Sequence, residues 1–212
     1  MKRYAETYLV IFFVLTTCAA CQEKKIAPGY SGDPYMGTLK VSIVHPDYPV
    51  KNDQGTGSAR ITDQKDGKSR LVIFGTIKKK DGDAGFAVDG SYDGKGWKSD
   101  SSDIAFEIAP DGSITGGGTM PGQKFQFSGD VTESVFKLGV KVEVLEKTEG
   151  GYPPGTVFNF NYDLKRDKAI AKSGGAKEKP ANKSGPCGSI HWEFRNIWTP
   201  GGLQMIQVPV CD

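Results

Sequence analysis

The chain has 212 residues, of which 37% are hydrophobic and 25% are charged, and its formal net charge is +2. This length supports one domain with its own core and further segments outside it. The near-neutral charge gives no support to nucleic-acid binding, because such proteins present a strongly basic surface.

The first 25 residues predict export. Two basic residues near the start precede an apolar run from Leu9 to Leu15, and small residues then lead to Cys21. A charged start, a short apolar segment and small residues before a cleavage point compose a secretory signal, and about 7 to 15 apolar residues are too few to span a bilayer. We therefore expect residues 1–20 to be a signal peptide. Secretion without acylation is the open alternative.

The cysteine at this cleavage point resembles the lipobox of bacterial lipoproteins, in which the first mature residue is a lipid-modified cysteine. Two alanines precede Cys21, as the family's signal peptidase accepts, and Cys18, with Leu15 three residues before it, is the alternative acylation site. The resemblance implies a diacylglyceride and an amide-linked acyl chain such as palmitate, which together make a stable anchor. Gln22 replaces the Asp that favours the inner membrane. The resemblance thus implies the outer membrane, on its periplasmic or surface-facing side.

Residues 37–164 read as β structure almost throughout, after a spacer at residues 21–36. Apolar and polar side chains alternate with a period of two, most clearly in residues 136–144 and 158–164. An antiparallel sheet with one solvated face requires this alternation. The run from Leu71 to Phe74 is apolar without interruption, and it predicts a strand that is covered on both faces.

Short turn sequences separate the predicted strands. Asp-Gly or Pro-Gly pairs lie within residues 65–68, 80–83, 92–95, 110–113 and 120–123. Gly and Asp tolerate the positive backbone angles that tight hairpin turns need. The spacing predicts an all-β fold, an antiparallel up-and-down meander of eight to nine strands that forms a barrel or a sandwich. Gly116 to Gly118, inside a strand pattern, predict a bulge or a sharply coiled sheet.

In strand count and succession this meander resembles the lipocalin, fatty-acid-binding and avidin group. The lipocalin Gly-x-Trp signature is not found on the first strand, and Trp97 follows Gly96 directly in a turn region. The resemblance therefore implies an architecture and transfers no ligand-binding residue. Apolar inward faces permit either a barrel filled by its own side chains or a cavity for a small hydrophobic ligand.

Residues 165–186 predict a flexible basic linker after the barrel. Seven basic and two acidic side chains lie within residues 165–183, and the segment is rich in Ala, Gly, Ser and Pro. Such a composition cannot bury enough surface to offset the entropy that is lost on ordering. The linker acts either as a solvated tether or as an electrostatic contact to anionic lipid headgroups or lipopolysaccharide.

Residues 187–212 predict a disulfide-linked β-hairpin. Cys187 and Cys211 are the only cysteines after the signal, and an exported compartment oxidises such pairs. The disulfide closes a loop of about 25 residues and contributes roughly 3 kcal/mol in the chain-entropy model. Apolar and polar residues alternate from 190 to 195, a turn sequence follows at residues 199–202, and a second strand returns after it.

Two interpretations of this hairpin are open. In the first, it docks on the barrel as extra edge strands or as a plug, and its aromatic side chains are buried there. In the second, it projects a rigid surface to a partner through Trp192, Phe194, Arg195 and Trp198, since Trp and Arg are enriched in interface hot spots. An isolated hairpin is marginally stable and exposed tryptophans are costly, so some form of docking is expected.

The sequence contains no signature of catalysis or of metal binding. His45 and His191 are the only histidines, and no zinc-ligand spacing accompanies them. There is no Gly-x-Ser-x-Gly elbow and no phosphate-binding Gly-x-x-x-x-Gly-Lys loop. The aspartate pairs at 81 and 83 and at 100 and 103 do not complete a calcium loop. We therefore interpret the chain as non-enzymatic, with no cofactor and no metal.

These features predict an outer-membrane lipoprotein that acts as a non-catalytic protein-binding module, such as an inhibitor, an immunity factor or an accessory subunit. Its expected partners are the membrane, through the anchor, and an envelope protein, through the hairpin aromatics. Nucleic acid is not an expected partner. A carrier of a small hydrophobic ligand inside the barrel is the second hypothesis. A hydrolase whose dispersed carboxylates meet in space is the third.

Overall fold

The computed structural model describes residues 29–64, 67–77, 82–94, 96–147, 151–166, 190–199 and 202–211. The regular elements in these ranges are β-strands. They are β1 (Tyr35–His45), β2 (Tyr48–Asp63), β3 (Lys68–Ile77), β4 (Gly82–Tyr92), β5 (Trp97–Ser99), β6 (Ile104–Ile108), β7 (Ser113–Met120), β8 (Gln123–Val131), β9 (Val135–Val144), β10 (Val157–Lys165), β11 (Ile190–Thr199) and β12 (Gly202–Cys211). No helix within these ranges is long and apolar enough to cross a bilayer.

Strands β1 to β10 form a closed antiparallel barrel. Each of them pairs with the next in sequence, and β10 pairs back onto β1. The predicted all-β meander is therefore confirmed, and it is a barrel rather than a sandwich. Closure satisfies backbone groups that an open sheet would leave unpaired along its edges.

The predicted number of eight to nine strands is wrong, because the barrel has ten. The additional strand is β5, which spans three residues and pairs with both β4 and β6. Three residues are too few to show an alternating pattern, so the sequence assigns Trp97 to a turn region. The Trp97 side chain is fully buried, and its indole nitrogen donates a hydrogen bond to the Ser69 hydroxyl. Strand β5 thus places a buried tryptophan between β4 and β6.

Large apolar side chains fill one end of the barrel, called here the closed end. Tyr35, Trp97, Phe106 and Phe136 are each at most 1% exposed. The Trp97 and Phe106 rings lie 6.0 Å apart between centroids, and the Tyr35 and Phe136 rings lie 5.5 Å apart. Aromatic pairs at such distances contribute about 0.5–1.5 kcal/mol beyond the area that they bury. This end is a packed core.

At the opposite end, called the open end, the core side chains are only partly buried. Ile43, Phe125, Val140 and Phe160 pack against the core but keep an intermediate exposure. The Phe158 and Phe160 rings stack with their centroids 6.1 Å apart. The turn between β1 and β2 and the loop between β9 and β10 border this end. The barrel is therefore filled at one end and accessible to solvent at the other.

The three glycines of β7 lie in a strand without a bulge. The pairing of β7 with β6 and with β8 continues through Gly116, Gly117 and Gly118 with no shift of register. At Gly116, where φ is +154°, a Cβ would lie 2.1 Å from the Ala105 carbonyl oxygen. Only a glycine at this position allows the backbone of β6 to approach the backbone of β7 so closely. Of the two structures that the sequence left open here, the bulge is not observed at these residues.

The C-terminal hairpin lies on the outside of the barrel. Strands β11 and β12 pair antiparallel, and β11 forms a parallel bridge from Trp198 to Phe86 of β4. Val208 of β12 is fully buried against Phe74 and Ala87. Docking on the barrel, one of the two interpretations of this hairpin, is the arrangement observed.

Strand β3 is covered on both faces, as its unbroken apolar run predicts. Leu71 and Ile73 belong to the core of the barrel. Val72 and Phe74 instead belong to the separate cluster around Val208 of the hairpin. Burial of a side chain of this size contributes about 1.5–3 kcal/mol, so the hairpin stabilises this side of the barrel.

Some predicted features lie outside the described residues. They are the signal peptide with Cys18 and Cys21, the spacer before residue 29, the linker between residues 167 and 189, and Cys187. Cys211 ends β12, but its side chain also lies outside the described part. The disulfide therefore stays a prediction.

Candidate functional site

Ion pairs fix the hairpin to the start of β4. The Arg195 Nη1 atom lies 2.9 Å from a carboxylate oxygen of Asp83, and Nη2 pairs with Glu193 of the same strand. Charge-assisted hydrogen bonds of this kind are stronger than neutral ones. Arg195, predicted to contact a partner, therefore connects the hairpin to the barrel.

Trp192 combines exposure with a contact to the barrel. Its side chain is 41% exposed, and the Arg60 guanidinium carbon lies 4.9 Å from its ring centroid. Arg60 also donates from Nε to the Gly32 carbonyl oxygen at 2.8 Å. Burial lowers the pKa of Arg60 from its ordinary value, while the nearby Asp33 carboxylate opposes that shift. A cation–π contact at an exposed site contributes about 0.5–1 kcal/mol, which orients the indole without hiding it.

The two faces of the hairpin differ in exposure. Glu193 lies opposite the buried Val208, and this face meets the barrel. On the alternate positions of the hairpin, Trp192, Met205 and Gln207 are exposed, with Met205 at 70%, whereas Pro209, opposite Trp192, is buried. We call the three exposed residues the outward hairpin face. Docking on the barrel thus coexists with an exposed tryptophan and methionine.

The other predicted partner-binding residues are placed only by their backbone. Phe194 lies opposite Gln207, and Trp198 lies opposite Leu203, in the register of β11 and β12. Their side chains lie outside the described residues. Of the four predicted positions, the structure therefore describes two side chains: Trp192, which is exposed, and Arg195, which is ion-paired within the chain.

A second group of exposed apolar side chains borders the open end of the barrel, and the sequence analysis did not identify it. We call it the open-end rim, and it comprises Val44, Tyr48, Val50, Leu145 and Tyr152. The His45 and Tyr48 rings lie 4.8 Å apart, as do the Tyr152 and Phe158 rings. The available signal in the sequence was the presence of large apolar residues next to or within connecting segments, where polar residues are usual.

The aspartates considered as calcium ligands have other roles. Asp83 pairs with Arg195, and Asp100 lies 3.5 Å from Lys68 Nζ. Asp103 accepts a hydrogen bond from the Ser102 hydroxyl at 3.3 Å, while Asp81 lies outside the described residues. Within the described ranges, no group of three or more His, Cys, Asp or Glu side chains is placed to hold a metal ion.

Two carboxyl groups have pKa values that are held below their usual range. The Arg70 guanidinium lowers the pKa of Asp89 by hydrogen bonding, and hydrogen bonds from Ser113 lower that of Asp111. A general acid of the glycosidase type needs the opposite shift, because it must carry a proton near neutral pH. Neither carboxyl group therefore suits the acid role that the hydrolase hypothesis requires.

Comparison with protein-family models and with curated protein sequences finds no match.

Proposed function

We propose that this protein is a lipid-anchored lipoprotein of the bacterial outer membrane and a non-catalytic protein-binding module. The partner contacts the outward hairpin face. The observation that carries the proposal is the exposure of Trp192 and Met205 on a hairpin whose opposite face is buried against the barrel. Aromatic residues and methionine are enriched in interface cores.

The docked position of the hairpin favours binding of a protein partner to its outward face. Val208 is buried on the barrel side, and Arg195 is paired with Asp83 there. A surface that is already ordered loses less conformational entropy when a partner binds. The arrangement thus supports a preformed binding surface, whereas a free hairpin would have to order on binding.

Site-specific photocrosslinking in cells tests the proposal. A photoreactive amino acid replaces Gln207, which is exposed on the outward hairpin face. We expect a discrete crosslinked protein, and we expect Trp192→Ala to reduce its yield by about tenfold, because a hot-spot residue contributes more than about 1 kcal/mol. Tyr152→Ala is the matched control, since it removes a similarly exposed aromatic side chain from the open-end rim. The proposal is contradicted if both variants reduce the crosslink yield equally, or if no crosslinked protein forms.

Binding of a small apolar ligand at the open end is the second candidate function. It is supported by the partial exposure of Ile43, Phe125, Val140 and Phe160 of the core. Mouths of β-barrels are frequent ligand sites. Titration with a fluorescent fatty acid tests this candidate: Val140→Trp should block the mouth and weaken binding, whereas Thr119→Trp, on an exposed position of β7, should not. Equal binding by both variants contradicts it.

A further inference from the structure

The side of the barrel that lies away from the hairpin carries an unusual set of polar side chains. The pairing of β2, β1, β10, β9, β8 and β7 aligns two rows of outward positions across these six strands. The first row comprises Gln54, Lys40, Asn161, Gly139, Ser128 and Thr115. The second row comprises Asn52, Ser42, Asn159, Lys141, Gln126 and Gly117. We call these two rows the amide face.

The amide face coincides with two adjoining grooves. One groove has a volume of about 540 Å³ and is lined in part by Lys40, Asn52 and Gln54. The other has a volume of about 500 Å³ and is lined in part by Gln126 and Lys141, and Asn161 lines both. The two grooves adjoin at Asn161, and together we call them the trough.

A glycine forms the floor of this trough. Gly139 lies between Asn161 of β10 and Ser128 of β8. A Cβ at this position would lie 3.4 Å from Ser128 Oγ and 3.7 Å from Asn161 Oδ1. Because no side chain occupies this space, an extended ligand can lie across the strands.

The amide groups are available for a ligand. Asn159 donates from Nδ2 to the Ser42 hydroxyl at 3.2 Å. The side chains of Asn52, Gln54 and Asn161 make no hydrogen bond within the part of the chain that the structure describes, and Asn52, Gln54, Gln126 and Asn161 are exposed. Each side-chain amide offers two donors and one acceptor oxygen, which matches a chain of neighbouring hydroxyl groups.

The charge of the amide face favours an anion. Neither row contains a carboxylate, and within the described residues Lys40 and Lys141 form no ion pair. In the next row towards the closed end, by contrast, Lys137 lies opposite acidic residues on both neighbouring strands. Asp53 also lines one groove, but it occupies the alternate register position opposite Val41 and has an interaction partner of its own.

Other classes of partner fit this surface less well. The two rows contain no aromatic side chain and no large apolar one, whereas protein interfaces have an apolar or aromatic core. Single-stranded nucleic acid requires stacking platforms, and duplex binding requires many cationic contacts. Two lysines among amides and hydroxyls suit a ligand that is rich in hydroxyl groups and carries few negative charges.

We propose that the amide face binds an extended acidic glycan, a chain of sugars in which some units carry carboxylate groups. Lys40 and Lys141 contact the carboxylates, and the Asn and Gln amides bind sugar hydroxyls along the trough. This site is separate from the outward hairpin face and does not depend on the function proposed above.

Nuclear magnetic resonance of the full chain in detergent tests this inference, because side-chain amide groups give resolved signals. Titration with tetragalacturonate, an acidic tetrasaccharide, should shift the amide signals of Asn52, Gln54, Gln126 and Asn161. The amide of Gln64, which is bonded to Asp89 away from this face, should not shift. Maltotetraose, which has hydroxyl groups but no charge, should bind about tenfold more weakly.

Two matched double variants complete the test. Lys40→Gln with Lys141→Gln should weaken tetragalacturonate binding by about tenfold. Lys68→Gln with Lys98→Gln removes the same charge from lysines that are paired with Asp100 and Glu107, and it should have little effect. The inference is overturned if tetraglutamate, an acidic peptide without sugar hydroxyls, binds as tightly, if both double variants lose the same affinity, or if the four amide signals do not move.

Discussion

Arg70 and Asp89 form a two-point ion pair between β3 and β4. Arg70 donates from Nε and Nη2 to the two carboxylate oxygens of Asp89 at 2.6 and 2.8 Å. This hydrogen bonding is the main reason that the pKa of Asp89 is lowered. Because the folded-state pKa lies below the unfolded-state value of about 4, the pair stabilises the fold above that pH. The stabilisation is lost as the pH falls through the folded-state pKa.

We predict that Asp89→Asn lowers the free energy of unfolding at pH 7 by about 0.5–1 kcal/mol, since solvent screens a pair that is this exposed. Below the folded-state pKa of Asp89 the variant and the wild type should have similar stability, because the wild-type carboxyl group is then protonated too. Urea unfolding at a series of pH values measures the difference. Glu146→Gln is the control, because Glu146 is exposed and lies outside the strands. The same pH-dependent loss in both variants would show that the ion pair is not its source.

At the scale of secondary-structure elements, the buried Val208 is the apolar part of the hairpin's docking, beside the ion pair of Arg195 with Asp83. Val208 is fully buried against Phe74 and Ala87, whose side chains offer no polar group to a charge. We predict that Val208→Asp releases β11 and β12 from the barrel, because an unpaired buried carboxylate costs several kcal/mol. Hydrogen exchange should accelerate in both hairpin strands and stay unchanged in β7, β8 and β9.

Met205→Asp provides the matched control for this experiment. Met205 is 70% exposed on the outward hairpin face, so the same substitution there should leave exchange in the hairpin unchanged. If Val208→Asp also leaves the hairpin protected, the contact with Phe74 does not hold it. If β7 to β9 lose protection as well, the hairpin and the barrel unfold as one unit.

The strands were predictable where their residues alternate over enough positions. Residues 136–144 and 158–164 alternate strictly, and the structure places strands there. The run from Leu71 to Phe74 also predicted a second covered face. Strand β5 was not predictable, because Trp97 has no alternating neighbours and its burial depends on strands that are distant in sequence. A local pattern of alternating residues thus indicates the longer strands, but not the short strand that connects β4 to β6.

The candidate sites were less predictable than the strands. Trp192 was identified by residue type, and its side chain is exposed, while its role in binding stays a prediction. Arg195 was identified for the same reason, but its pairing with Asp83 depends on the docked position of the hairpin. The amide face could not be read from the sequence, because its rows cross six strands and exist only once the register is known. A site whose residues are brought together only by the register of the strands can be identified only from the structure.

At the scale of the whole molecule, both chain ends of the barrel leave from the closed end. Arg166, directly after β10, donates hydrogen bonds to the carbonyl oxygens of Gly29 and Tyr30 at 2.6 and 2.7 Å. Its guanidinium also lies 4.2 Å from the Tyr35 ring centroid, while burial raises the pKa of Tyr35 to about 12. The predicted anchor and the basic linker therefore connect at the same end. We expect the closed end to face the membrane and the open-end rim to face away from it.

Acylation is the claim on which the localisation and the proposed function both depend. Cells that express the full chain are labelled with radioactive palmitate, and the chain is recovered from the envelope together with its Cys21→Ser and Cys18→Ser variants. We predict that the wild type and Cys18→Ser carry the label and that Cys21→Ser does not. An unlabelled wild-type chain, or a label that is lost only in Cys18→Ser, would contradict a lipid anchor at Cys21.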